Sequence, residues 1–338
     1  MSRFEQKKGR FPWLVLLLAL LLAACSTGSS GDRRPTSGGS PAVVVATVAP
    51  ETAASPVSTA LPPTSTPTPT PTPTPPAPLA AMVNGEYIFL SDYEQRVAQF
   101  EQALLEQGID PQTSDGQAEL AQARQDVLQG MIDSILIAQG GLELGIGLTD
   151  EELESQVEAD IASGGGQAAF DEWLQATGQT REDYKMLLGE ALVSQQVMDA
   201  VTAEVGTEAE QVHARHILLD SEADAQEVLA LLEQGADFVE VARERSLDEA
   251  TKDNGGDLGW FPRRLVPPEL ESAAFALQPG QVSDVVRLGD GYHIIQVVER
   301  EEARPLPPEM QLDLRLAIFE EWLAGRRAAA VIELFVAE

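Results

Sequence analysis

The sequence predicts an α+β module, ordered βααβαββ around an antiparallel-rich sheet, inserted into a mostly α-helical domain behind a leader and a disordered tether. Three observations carry that reading. The body is rich in Ala, Leu, Glu and Gln with only 5% aromatic residues, a helix-forming composition. Helix-start signals recur through its first half, whereas residues 206–304 switch to strand patterns broken by glycine turns. A last helix and strand follow the breaker Pro305-Leu-Pro-Pro308 and have no neighbour of their own to pack against.

The chain has 338 residues, with 54 acidic and 22 basic side chains and a net charge of −32. Four of the bases, Arg3, Lys7, Lys8 and Arg10, lie in the first ten positions, so the remainder is more acidic still. Such a surface repels phosphate backbones and excludes a nucleic-acid partner. One cysteine excludes a disulfide framework and a Cys-based zinc site.

Behind the basic start, Phe11–Ala24 is unbroken apolar sequence. As a helix it reaches about 21 Å, short of the roughly 30 Å of a hydrocarbon core, which fits a secretory signal better than a permanent span. It ends Leu22-Ala23-Ala24-Cys25, which resembles the bacterial lipobox. That resemblance implies cleavage before Cys25 and acylation of it, so residues 1–24 are a signal peptide and the protein is anchored to the bilayer on the extracytoplasmic face of a bacterial membrane. A spare cysteine after an apolar run is the alternative; the small residues before it and the polar run after it favour lipidation. Residues 25–78 are rich in Ser, Thr and Pro and cannot bury a core, so they read as an extended linker. In polyproline-like form it reaches about 160 Å.

The helical elements follow in order. Met82–Phe89 reads as a short strand with an Asn-Gly turn. Ser91-Asp-Tyr-Glu94 is a capping-box pattern opening a helix to about Gln107. Residues 117–139 place Leu120, Val127, Leu128, Met131, Ile135 and Ala138 at helical spacing. Thr149-Asp-Glu-Glu152 is a second capping box, starting a helix over 151–162, and 170–176 and 180–201 are further helices. After the insert, 309–330 is helical and Val331–Val336 reads as a strand. Its natural partner is Met82–Phe89, which gives a discontinuous helical domain of 79–205 plus 305–338 around a module of 206–304.

Within the module, 211–219 reads as a strand, 222–234 and 238–246 as helices, and Gly255–Phe261 as a glycine-rich turn into a strand. A short helix at 269–276 precedes a strand pair, 282–287 and 291–299. All three histidines lie here, at positions 213, 216 and 293. His213 and His216 are three apart in a strand, so they point to opposite faces, which argues against a two-histidine metal site. His216 shares a face with Val212, Ala214 and Leu218, and His293 with Ile295 and Val297, so both turn inward. From spacing alone, two core histidines sharing a hydrogen bond are the favoured reading over a functional site.

The module resembles the parvulin family of peptidyl-prolyl isomerases. The residues that carry the likeness are Ala214-Arg-His-Ile-Leu-Leu219, Gly235-Ala-Asp-Phe238, Ser246, Gly255-Gly-Asp-Leu-Gly259 with Phe261, Phe275, and Gly291-Tyr-His-Ile-Ile295. The flanking helical pieces, with their Val-Asn-Gly-Glu strand entry, resemble the chaperone domain of SurA and PrsA foldases. With the lipobox, the whole chain is similar to PrsA-type foldase lipoproteins. The resemblance implies isomerisation of X-Pro bonds in exported or unfolded polypeptide clients, with no cofactor and no metal. It implies a catalytic set of His216, Asp248 and His293, and a proline pocket of Leu258, Phe261, Val266, Leu270 and Phe275. Ordinary core is the competing account of those apolar residues, above all Leu258 and Phe275. Asp290 departs from the hydroxyl residue common in the family. The acidic stretch Asp220–Asp224 stands where phosphate-selective relatives are basic, so no phosphate preference is expected. A holdase whose parvulin unit only binds unfolded chains is the alternative function.

Overall fold

The computed structural model describes residues 77–336; the signal peptide, Cys25 and nearly all of the linker lie outside them. Among the described residues, seven strands form two sheets and nine α-helices surround them.

The first sheet begins as a hairpin, β1 (Leu79–Val83) and β2 (Glu86–Phe89). Its turn residues Asn84 and Gly85 have φ of 52° and 88°, the positive values that a two-residue hairpin turn requires. The expected single strand is therefore two, and β7 (Ile332–Leu334) joins the other edge of β1, with Ala81 opposite Leu334. Asn84 fastens the join: its backbone N–H donates to Val331 O at 2.8 Å, and its side-chain oxygen accepts from Val331 N–H at 2.9 Å.

Helix α1 (Leu90–Glu106) has no side-chain cap, so the expected capping box at Ser91 is not formed. β2 runs straight into the helix and the Leu90 N–H donates to Pro78 O instead, which meets one of the orphan donors of the first turn. Helix α2 (Ser114–Glu143) is longer at both ends than its apolar pattern indicates and is capped by Thr113. Helix α3 (Asp150–Ser163) carries the Thr149–Glu152 capping box. Helix α4 (Gln167–Thr177) leads to α5 (Arg181–Val201), which has a box of its own from Thr180 and Asp183.

Two cores result. Phe170, Tyr184, Val157, Ile161 and Leu188 pack α3, α4 and α5 together, with the Tyr184 hydroxyl donating to Asp160 at 2.8 Å. The larger core joins β1, α2 and α5 to Phe319 and Leu323 of the final helix, α9 (Pro308–Ala329). Arg327 of α9 donates through two nitrogens to buried Asp133 of α2, both at 2.7 Å.

The second sheet has the antiparallel order β4-β3-β6-β5. Central β3 (Glu208–Leu219) and β6 (Gly291–Pro305) both run further than their apolar alternation suggests. The extra length is polar and held by side chains: Arg300 donates to Glu210 and to the Phe275 carbonyl. The edge strands are β4 (Asp257–Pro262) and the short β5 (Val286–Leu288). Helices α6 (Glu222–Glu233) and α7 (Phe238–Arg245) cover one face, where Ile217, Leu219 and Ile294 meet Val228, Phe238 and Val241. Helix α8 (Pro268–Ala276) covers the other over Val212, Ala214, Ile295 and Val297.

Candidate functional site

The α8 face of the second sheet holds the two inward histidines. His216 lies opposite Ile295 in the β3–β6 register, and His293 opposite Leu218, so the two are diagonal neighbours on one face. Their rings stack at 5.3 Å between centroids, with the Nδ1 atoms 3.1 Å apart. Both residues are buried, 6% and 3% exposed. The third histidine points away, as the three-residue spacing demands: His213 stacks on Trp260 and its Nε2 meets Asp257 at 2.6 Å.

Asp248 reaches the pair from the loop after α7. That loop is stitched to the end of β3, because the Ser246 hydroxyl accepts from the N–H groups of Leu218 and Asp248 and Leu247 N–H donates to Leu218 O. A carboxylate oxygen of Asp248 lies 2.7 Å from His216 Nε2 and also accepts from the Thr251 hydroxyl; its other oxygen accepts from Ala250 N–H at 3.1 Å. On the far side, Asp290 Oδ1 lies 3.0 Å from His293 Nε2. The result is one line, Asp248–His216–His293–Asp290.

The charges fix the tautomers. Burial pushes the His216 imidazole below its ordinary value, with the Asp248 hydrogen bond opposing. With His216 neutral and donating Nε2–H to Asp248, its Nδ1 accepts from His293 Nδ1–H. A neutral His293 then presents Nε2 as an acceptor, so its contact with Asp290 Oδ1 is a hydrogen bond only where a further proton sits on that pair. Burial raises the Asp248 carboxyl, but hydrogen bonds from Thr251, His216 and Ala250 outweigh it and hold the group below its usual value. Three donors converge on Asp248, and an ionised carboxylate is the side chain that can accept from all of them.

The backbone beneath is equally constrained. His216 N–H donates to Gly256 O at 2.8 Å. A Cβ on Gly256, which has φ of +78°, would lie 2.0 Å from His216 O.

All five expected pocket residues gather on this face, but not equally. Phe261, Leu270 and Phe275 are buried core members, and Leu258 and Val266 pack on them partly open. Phe275 is also covered by the Arg263 guanidinium, 4.0 Å over its ring. Thr251 and Ser246 are the polar members that the sequence did not single out for a role. The spacing Asp248-x-x-Thr251, a short polar turn after a helix end, is the one signal that was present.

Residues 207–299 match the PPIC-type PPIase domain, and residues 67–198 match the SurA-like N-terminal domain. The foldase protein PrsA of Caldanaerobacter subterraneus is 32% identical over 225 residues, covering 64% of this chain and 72% of that protein. PrsA of Clostridium kluyveri is 30% identical over 258 residues, 66% and 75% of the two chains. The chain belongs to the PrsA foldase family. A crystal structure of the peptidylprolyl isomerase PrsA from Bacillus anthracis is 29% identical, covers 58% of this chain and 89% of that one, and has a TM-score of 0.40. This PrsA-family chain is a parvulin-type peptidyl-prolyl isomerase joined to a SurA-like helical domain, a foldase with isomerase and chaperone roles. Among the described residues, no helix is long and apolar enough to cross a membrane.

Proposed function

We propose that His216, Asp248 and His293 form the catalytic set of this foldase, with Asp290 and Thr251 positioning them and proline seated at the open side of the Leu258, Phe261, Val266, Leu270 and Phe275 cluster. We also place the enzyme outside the cytoplasm, anchored to the bilayer by lipid on Cys25 and acting on exported, unfolded polypeptides. The observation that carries the site is the hydrogen-bonded line Asp248–His216–His293, with Asp290 in contact at its end, beside an apolar surface.

The chemistry follows from the bond. An X-Pro peptide resists rotation by roughly 20 kcal/mol because the nitrogen lone pair is delocalised onto the carbonyl oxygen. In the twisted state that charge returns to nitrogen. An anion fixed near the carbonyl therefore raises the planar state more than the twisted one, which is the differential a catalyst needs. Asp248 is such an anion, held ionised by its three donors. His216 and His293 fix its direction, and the apolar cluster takes the proline ring out of water. No covalent bond breaks, and the chain's single cysteine, Cys25, is assigned to lipid, so a thiol nucleophile has no place in the route.

A prolyl isomerisation assay on the mature chain with an unphosphorylated peptide tests this. Clear acceleration that falls on His216→Ala and on Asp248→Ala supports the set. A well-folded chain whose rate survives both changes removes these residues from the mechanism. No acceleration at all favours the holdase reading, to which the largely buried pocket residues Phe261, Leu270 and Phe275 already give a physical basis. For the anchor, mass analysis of the mature protein should show diacylated Cys25, and Cys25→Ala should release the protein from the membrane fraction.

A further inference from the structure

Away from the histidine pair, the helical domain holds a cavity of about 490 Å³ between β2, α1, α2 and the first half of α5. Its floor is apolar, formed by Ile88, Met131, Ile135 and Leu187, and Tyr87 and Met186 stand exposed at its mouth. Its charged wall is acidic: Glu86, Asp92, Asp183 and Glu190 face a single base, Arg96. Arg96 donates to Glu190 Oε1 at 2.6 Å, and Asp183 is occupied by the Thr180 cap. Glu190 Oε2 and the side-chain oxygen of Gln179, by contrast, are buried with no hydrogen-bond partner, and both residues line the cavity.

Buried acceptors are normally met, so an unmet pair in a cavity wall marks where a donor from outside fits. One of the two belongs to a carboxylate whose only cation is held at its other oxygen, so a cationic donor fits best. The neighbouring strand indicates the form of the ligand. Among the described residues β2 is an edge strand that pairs only with β1, and an open strand edge is a template for an extended chain.

We propose that this cavity binds an extended client segment in which a lysine or arginine lies between apolar residues. The cation pairs with the Glu190 carboxylate, whose side chain is 24% exposed and turns Oε2 into the cavity to accept it, and the flanking side chains cover Met131, Ile135 and Leu187. The inference rests on the chaperone role of the helical domain and gives it a recognition rule: cationic-apolar segments are held here while the isomerase module works elsewhere on the same chain.

The test is anisotropy titration of the full chain with labelled, proline-free peptides that alternate Leu and Ser around a central Lys, norleucine or Glu. Without proline, the isomerase site is not engaged. Lys should bind roughly tenfold tighter than norleucine, and Glu weakest. Glu190→Gln should reduce Lys to the norleucine level, and Ala138→Trp, which fills the wall from an exposed position while sparing the Arg96 pair, should weaken all three. Both variants should keep isomerase activity on a short peptide. Equal binding of Lys and norleucine, or a Lys preference that survives Glu190→Gln, overturns the proposal. A parallel assay of aggregation suppression on a denatured protein separates the two levels. Suppression left unchanged by Ala138→Trp removes the cavity and leaves the chaperone role intact, whereas no suppression by the parent chain removes both.

Discussion

Replacing Asp248 by asparagine changes almost no volume and tests why a carboxylate is there. His216 Nε2 and the Thr251 hydroxyl share one carboxylate oxygen, and Ala250 N–H uses the other. An amide can satisfy one of those sides but turns an NH₂ toward the other, so a donor faces a donor. Such a loss costs about 1–3 kcal/mol, and the remaining bonds lose their charge assistance. The Asp248 side chain is 23% exposed, so water relieves part of this, and about 2 kcal/mol is expected in denaturant unfolding at pH 7. The pH dependence is sharper. The folded pKa of His216 lies below the ordinary imidazole value of 6.5, so its contribution is fully present above about pH 6.5 and is lost as pH falls through the folded value. Asp248 is what holds His216 up against burial, so Asp248→Asn lowers that folded value further and steepens the loss below pH 6.5. The wild-type carboxyl, depressed from 3.8, adds its own loss below about pH 3.8, which the variant lacks. The stability gap should thus widen from pH 6.5 downward and narrow again below pH 3.8. Isomerase activity at pH 7 should fall at least about tenfold, the equivalent of 1.4 kcal/mol. A variant with wild-type stability and slope, or with full activity, refutes both the convergence argument and the role of the anion.

Three further outcomes follow from other contacts. Gly256→Ala should cost about 3 kcal/mol or more, because its Cβ meets His216 O at 2.0 Å on a left-handed backbone; thermal unfolding reads it, and isomerase activity should fall with it. Arg327→Met strips the bidentate partner from Asp133, which is 12% exposed, and should cost about 2–3 kcal/mol in denaturant unfolding while Gln129 still holds one oxygen. A phosphoserine before proline should give kcat/KM no higher than serine, because the stretch after β3, where the parvulin resemblance puts the basic cluster of phosphate-selective relatives, carries Asp220, Glu222 and Asp224.

The sequence disclosed what regular periodicity controls and hid what loops and distant backbone control. Strand alternation was enough to put His216 and His213 on opposite faces, since a two-residue period leaves no choice, and to turn His293 inward; that His293 shares the His216 face is set by the β3–β6 register. It could not bring Asp248 to His216, because the loop carrying it is placed by Ser246 and Leu247 bonding to Leu218, contacts with no periodic signature. Thr251 stayed invisible for the same reason. The apolar set shows a different limit: hydrophobicity marks Phe261, Leu270 and Phe275 equally as pocket or core, and only packing assigns them largely to the core. Ser91 illustrates a local signal overridden, since the strand that feeds α1 supplies a backbone carbonyl in place of a side-chain cap. The polar ends of β3 and β6 were missed because ion pairs such as Glu210–Arg300, not burial, hold them.

Those polar ends also explain how an isomerase can interrupt a helical domain without dividing it. Glu208 and Pro305 are register partners, and Leu306 N–H donates to Thr207 O at 2.8 Å, so the module leaves the domain beside the point where it entered. Immediately beyond, Arg315 of α9 donates to the Thr202 hydroxyl at 2.9 Å and pairs with Asp199 of α5. The helical core needs this closure, since β7 and α9 come from the opposite end of the described chain from β1. Bringing distant segments together costs closure entropy that grows with the intervening length. A folded module replaces its whole length by one strand-to-strand step, so α5 and α9 start as near neighbours. The β3–β6 pairing that seats the two histidines is therefore the same pairing that completes the chaperone core. A change such as Gly256→Ala that displaces β3 should weaken both the isomerase site and the docking of α9.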